Sequence, residues 1–375
     1  MWNRLFATAS VLVASVFTAS VLTVSLAAQD AIRVNFPVDS PVAVVSSNWG
    51  ESRAAARGGA LVVDLRTTLK LKNTSRLRLR GISLQVASQE VAAGGKASVS
   101  VPSLDVNPGQ EFPIKIDLRL LQPNASSGAA VVQVQLDGVL FEDLSFFGPN
   151  RLGSRRQLIA WELEARRDRQ HLTQILAKSG EDGLRRSMLE ILAQDRVRPK
   201  LDIRLARAPA SFLNEHPVEV AFMRQTDLPV EATGGVAMAS GNELRIPKLF
   251  FENRDKREVR SIELGLLVRD AEGREFSAGS LPAPVSMKPH GSGIVQPSVS
   301  LQLNRGQGLP LKVESVSGFV QQVEFTNGEV WVPPSSFRDE ARLLKLVPGS
   351  VEEQRLSDIY RRRGMAALLE ELHKQ

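Results

Sequence analysis

The residues of this chain with most chemistry in them are four histidines, scattered carboxylates and two glycine-bracketed loops. His216 and His290 lie in turn-rich stretches, Asn214-Glu215-His216-Pro217 and Lys288-Pro289-His290-Gly291. With Glu215 they offer the imidazole and carboxylate donors that several divalent ions accept. Such a site requires the fold to bring the two turns together, and loop polarity explains both residues without a metal. His171 and His373 stand alone in helical stretches and read as surface residues. Gly291-Ser292-Gly293 and Gly306-Gln307-Gly308 have the composition of phosphate cradles. Neither joins a strand to a helix, as a cradle must, so both read as hairpin loops. No Gly-x-Ser-x-Gly elbow, P-loop, dinucleotide fingerprint, His-Glu-x-x-His pair or calcium-loop spacing occurs. The expectation is a chain without catalytic residues, metal or cofactor.

A second kind of chemistry is recognition. Residues 151–198 hold 11 Lys plus Arg against 7 Asp plus Glu, much of the net charge of +6. Within them Trp161, Arg166, Arg167 and Arg169 put an aromatic ring beside guanidinium groups, a combination that docks on acidic surfaces or stacks on planar ligands. Trp161 shares an apolar stripe with Leu158 and Ala165, which argues that it packs between elements. Trp331 follows a hairpin in the second half, as Phe146 and Phe147 do in the first. These five residues, Trp161, Arg166, Arg167, Arg169 and Trp331, are the candidate partner-binding positions.

The elements that position them come in two rounds. Lys72-Asn73-Thr74-Ser75 leads into Leu77 to Val86, and Glu252-Asn253-Arg254-Asp255 leads into Arg257 to Leu266, in one register: Leu79 matches Val259 and Leu84 matches Leu264. Short runs of period two, separated by turn residues, predict strands with one buried face from Ala31 to Phe147 and again from Phe212 to Pro333. Asp137-Gly138 and Asn327-Gly328, each flanked by apolar alternation, carry the signature of type I′ hairpin turns and read as equivalent landmarks. Asn73-Thr74-Ser75 and Asn124-Ala125-Ser126 match the N-glycosylation acceptor pattern; Asn73 already has a task as a turn former.

Each round ends in helix. Leu158, Trp161, Ala165, Leu172 and Leu176 define one amphipathic stripe, Gly180 punctuates it, and Leu184, Met188, Ile191 and Leu192 continue before Pro199. Ser350-Val351-Glu352-Glu353 is a capping box, Leu356, Ile359 and Tyr360 follow it, and Gly364 divides that helix from Leu368, Leu369 and Leu372. Ala165-Arg166-Arg167-Asp168-Arg169 resembles Ile359-Tyr360-Arg361-Arg362-Arg363, so the repeat extends to sheet plus helix.

The pattern resembles the immunoglobulin-like or fibronectin-type sandwiches of bacterial envelope proteins. The resemblance implies adhesion, scaffolding or ligand display, and carries over no site residue. The fold class expected is mainly β with helical segments: two antiparallel sandwiches, at 29–150 and 199–335, each followed by amphipathic helix, at 151–198 and 336–375. Residues 1–28 read as an export signal, with Leu5 to Ala28 uncharged and Ser25-Leu26-Ala27 ahead of a cleavage site. Zero cysteines exclude disulfides, thiolate metal sites and a cysteine-linked lipid. The expected protein is exported to the periplasm or beyond and binds an envelope protein or an acidic surface. It contacts a membrane only where Leu5–Ala28 is retained as an anchor, and nucleic acid is not expected. The alternatives are a secreted glycan-active hydrolase using dispersed carboxylates, against which one Tyr and four Trp stand, and a membrane-anchored assembly factor.

Overall fold

The structure, a computed structural model, describes residues 32–57, 60–88, 96–123, 132–225 and 227–373. The export segment and Asn124 to Ser126 lie outside them. Among the described residues the chain is mainly β, with four helices.

The first half contains β1 (Ile32–Asn35), β2 (Val42–Ser46), β3 (Arg53–Arg57), β4 (Ala60–Asn73), β5 (Leu79–Ala87), β6 (Lys96–Val101), β7 (Glu111–Pro123), β8 (Val132–Phe141) and β9 (Phe146–Phe147), and then helix α1 (Ser154–Val197). One sheet runs β1-β8-β5-β6, with β9 on β8; a second joins β2 and β3 to β4, and β4 to β7. Alternation explains the strands. Along β4 and β7, Val63, Leu65, Leu69, Leu71, Ile114, Ile116 and Leu120 are buried, and they share one core with Ile82, Leu84, Val86, Val134 and Leu136 of the other sheet.

The second half contains β10 (Asp202–Arg207), β11 (His216–Phe222), β12 (Val230–Ser240), β13 (Glu243–Asn253), β14 (Val259–Asp270), β15 (Glu275–Met287), β16 (Ser292–Val295), β17 (Val299–Arg305), β18 (Leu309–Pro310), β19 (Val313–Phe325) and β20 (Val330–Trp331). Helices α2 (Ser335–Arg338), α3 (Ala341–Leu346) and α4 (Val351–His373) close the chain. Its sheet is continuous through β11, which pairs antiparallel with β12 over His216–Glu219 and parallel with β19 over Val220–Phe222. Residues of both wings meet in one apolar cluster.

The two halves share a pairing plan. β1 lies parallel to β8 as β11 lies parallel to β19. Val42 opposite Asn73 is repeated as Val230 opposite Asn253. Leu79 opposite Phe141 is repeated as Val259 opposite Phe325. The asparagines do one job twice. Asn73 Nδ2 donates to the Leu77 and Val106 carbonyls at 2.9 and 3.1 Å and its Oδ1 accepts from the Ser75 N–H at 3.0 Å. Asn253 Nδ2 donates to the Arg257 and Lys288 carbonyls at 2.8 and 3.0 Å and its Oδ1 accepts from the Asp255 N–H at 2.9 Å. Each turn is thereby tied to the crossing chain beneath it.

One landmark differs from its sequence reading. Asp137-Gly138 is not a hairpin; β8 runs through it. The register shifts there, with Ser83 opposite Gly138 and Leu84 opposite Leu136, so Asp137 is the extra residue of a bulge. Glycine is required next to it because a Cβ at 138 would lie 2.0 Å from Phe146 Cζ. The hairpin equivalent to Asn327-Gly328 is Asp143-Leu144. Phe141 N–H to Ser145 O matches Phe325 N–H to Glu329 O, and Leu144 and Gly328 both have positive φ. The bulge itself recurs at Gln321, between the pairs Glu263–Gln322 and Leu264–Val320.

Candidate functional site

The candidate positions converge on α1, which leaves the first half and runs along the second. Gly153 at its start supplies no side-chain cap. Asp137, from the bulge, substitutes: its carboxylate accepts from Ser154 Oγ at 2.5 Å and from the Leu152 N–H at 3.2 Å. A buried anion at a helix N-terminus is favoured by the free N–H groups and the helix dipole. Leu158 and Ile159 then pack with Leu140 and Phe146 of the first half and Val330 of the second.

Four arginines of the first part of α1 are engaged within the protein. Arg166 donates to Glu162 at 2.8 Å and to the Glu142 carbonyl. Arg167 bonds Asp168 at 2.9 Å and the Pro333 carbonyl at 2.9 Å. Arg169 meets Glu352 at 2.7 Å. Arg156 reaches Ser261 at 3.0 Å and Glu263 at 3.8 Å. Arg156, Arg166, Arg167 and Arg169 thus fasten α1 to both halves and to α4. Trp331 is half-buried against the second core, and Trp161 is half-buried at the junction cluster.

Beyond Arg169 lies a helical joint. Both α1 and α4 are interrupted by a glycine outside helical geometry, Gly180 at φ 65°, ψ −170° and Gly364 at φ 81°, ψ −172°. Around these breaks Leu172, Leu184 and Met188 pack with Leu356, Leu368 and Leu372. The spacing is identical in the two copies, and Gln170-His171-Leu172-Thr173 matches Gln354-Arg355-Leu356-Ser357. The helical repeat is therefore real but shifted from the arginine-rich match at 165–169 and 359–363: apolar spacing and the glycine carry it. Glu352 is the electrostatic centre of the joint. Its carboxylate takes Arg169 on one side and two bonds from Arg355, both at 2.8 Å, while Arg355 continues to Glu371 at 2.9 Å. Burial pushes the Glu352 carboxyl up, but Arg355, Arg169 and Ser103 outweigh it and hold it at about 2. The Ser350 hydroxyl receives the Glu353 N–H at 3.0 Å, as a cap should, and bonds Asp168.

Beside a cavity of about 420 Å³ at Arg155, Ile159 and Leu163, two further concave sites adjoin α1. One, about 530 Å³, lies between its two arms and the α2–α3 segment, with Leu172, Ile175, Ile191, Leu344 and Val347 among its walls. The other, about 370 Å³, lies between α1 and the second half, with Trp161, Arg156, Glu263, Gln321, Gln322 and Leu205 among its lining.

His216 and His290, the two histidines that a metal site would have to bring together, do not meet. His216 pairs with Ala239 near the Leu244 end of β13, whereas His290 precedes Gly291, whose carbonyl accepts from Asn253 at the other end. About 3.3 Å per strand residue puts roughly 30 Å between them. Among the described residues no three His, Asp or Glu side chains gather in a metal-binding group. Among those residues, too, no helix is long and apolar enough to cross a membrane.

No family model matches the chain, and no curated protein matches its sequence. Solved structures give only faint similarity. A cadmium complex of Phpd with hydroethylphosphonate is 13% identical over 74% of this chain and 79% of that one, with a TM-score of 0.08. Vicilin from Corylus avellana (hazelnut) is 11% identical over 88% and 96%, with a TM-score of 0.09. An allantoicase is 8% identical over 71% and 80%, with a TM-score of 0.07. Scores this low carry no argument about fold or function.

Proposed function

We propose that this is an exported, non-catalytic binding or scaffold protein of the cell envelope. In this reading two immunoglobulin-like sandwiches, the segments 29–150 and 199–335, act as tandem modules held at a fixed spacing by their helices. The observation that carries the proposal is the shared pairing plan of the two halves joined by a buried helical clasp, Arg169 on Glu352 within the Leu172–Leu356 cluster. A clasp of this kind suits a protein whose work is to present two surfaces together: two sites held at a set distance bind a common partner with an effective concentration that separate modules lack. Sheet edges in such modules accept partner strands, and helices offer a second contact.

The test has two arms. N-terminal analysis of the protein recovered from cells is expected to find Ala28 or Gln29 first; an intact Met1 places it with anchored proteins instead. Affinity capture from an envelope extract with residues 29–375, at low and raised salt, is expected to retain a specific protein at raised salt. Retention only of acidic material lost with salt overturns the scaffold reading.

A further inference from the structure

The bulge that recurs in β8 and β19 is treated differently in the two halves. In the first, the chain itself covers it: Asn150 N–H donates to the Asp137 carbonyl at 3.1 Å, and Leu152 and Ser154 satisfy the Asp137 carboxylate. In the second, the residues following β20 take another course, into α2, and the equivalent bulge opens onto the cleft beneath Trp161. Gln321 stands where Asp137 stands in the first half and Gln322 where Gly138 does. Gln322 is 6% exposed, yet its Nε2 has no hydrogen-bond partner. A buried amide left so is costly unless something accepts from it.

We infer that this cleft binds a neutral, polyhydroxylated ligand, a sugar residue, against the face of Trp161. Three features select that chemistry. Gln157, Gln321 and Gln322 line the site, and a primary amide both donates and accepts, as a hydroxyl does. Of the three ionic side chains in the lining, Arg156, Glu164 and Glu263, two pair with each other: Arg156 meets Glu263 at 3.8 Å and Ser261 at 3.0 Å, while Ser280 donates to Glu263 at 2.6 Å. A free anion or cation would have to break that set. The indole, with Leu205, Pro282 and Val332, supplies an apolar wall for the C–H face of a ring. The volume, about 370 Å³, falls at the small end of the roughly 300–1,000 Å³ usual for small-ligand sites. No hydrolysis is implied. The site is complete within one chain, so sugar binding there does not depend on the scaffold reading.

The test is isothermal titration of the full chain with N,N′-diacetylchitobiose, maltose and cellobiose up to millimolar concentration, with spermidine and inorganic phosphate as charged probes. Saturable binding of at least one sugar is expected, weakened tenfold or more by Trp161→Ala and by Gln322→Leu, with the charged probes silent. Trp161→Phe keeps the junction packed and is expected to retain most of the affinity; thermal melts confirm that each variant is folded. Absence of saturable binding by all three sugars overturns the inference. So does sugar binding that both Gln322→Leu and Trp161→Ala leave unchanged, or saturation of the site by either charged probe.

Discussion

Arg169 Nε lies 2.7 Å from Glu352 Oε1, with the two side chains only 9% and 0% exposed. The pair joins the helix that follows the first half to the helix that ends the chain. Removing Glu352 strands Arg169 in the interior, which costs about 3–5 kcal/mol, more than the net worth of the pair, whereas removing Arg169 leaves Glu352 still bonded to Arg355. Glu352→Gln is expected to lower unfolding free energy by about 3–5 kcal/mol in urea titrations, and Arg169→Met, which leaves Glu352 on Arg355, by a smaller amount of about 1–3 kcal/mol. The double variant Arg169→Met/Glu352→Leu is expected to recover part of the loss, because no charge is then left unpaired on that contact. A double variant as unstable as the sum of the singles refutes the assignment of the cost to desolvation.

Acid should dissolve the same joint. The Glu352 carboxyl sits at about 2 in the folded chain against an ordinary 4.5. A depressed carboxylate contributes stability that is complete above the unfolded value and is lost as pH falls from about 4.5 towards 2. The contribution is on the order of 3 kcal/mol. Asp255, Glu275 and Glu329 are shifted in the same direction, so the whole protein weakens in acid. The difference between wild type and Glu352→Gln isolates this one group: the two stability curves are expected to separate fully by about pH 6, to draw together as pH falls below about 4.5 and to converge only below about pH 2. Parallel curves across that range contradict the prediction.

Gly180 and Gly364 hold backbone angles that side-chain-bearing residues avoid, and a Cβ at either would meet nothing within 4 Å. Substitution therefore costs backbone strain alone, about 1–3 kcal/mol each. Gly180→Ala and Gly364→Ala are expected to lower the melting temperature with little change in helical circular dichroism. A neutral or stabilising Gly180→Ala shows instead that the two arms of α1 can straighten without loss.

The parts of this fold legible in the sequence are those whose causes are local. Asn73 and Asn253 announce themselves because an asparagine turn before an alternating strand is a short-range pattern. Ser350 is legible as a cap for the same reason. Asp137-Gly138 misleads because a hairpin and a bulge both want a small residue beside a polar one. What decides between them is the Phe146 ring against residue 138, which no dipeptide reveals. The helical repeat is obscured by arginines, which recur readily on exposed helices; Leu172, Gly180 and Leu184 against Leu356, Gly364 and Leu368 carry it. The cleft at Trp161 is illegible altogether, since Glu263, Gln321 and Gln322 reach it from strands remote in the chain.

The two turn asparagines should prove interchangeable in importance. Each is nearly fully buried, at 0% and 2% exposure, and each donates to a carbonyl of its own turn and to the crossing chain, Asn73 to Val106 and Asn253 to Lys288 and, at 3.4 Å, Met287. Asn73→Ala and Asn253→Ala are expected to cost about 2–4 kcal/mol apiece, since each buried polar group deprived of its partner costs about 1–3 kcal/mol. Equilibrium denaturation of the two variants measures this. A loss confined to one of them breaks the equivalence of the halves at the turn.

The bulges should behave in the opposite way, because only one of them is covered. Asp137 is 2% exposed and its carboxylate serves both the Ser154 hydroxyl and the Leu152 N–H at the head of α1. Asp137→Ala removes both acceptors and the anion at the helix start, so a loss of about 2–3 kcal/mol is expected. Gln321, its counterpart, faces the open cleft, and Gln321→Ala is expected to change stability by no more than about 0.5 kcal/mol. Differential scanning of both variants decides the matter: equal losses place Gln321 in the framework, whereas a loss at Asp137 alone leaves Gln321 free to act on a ligand.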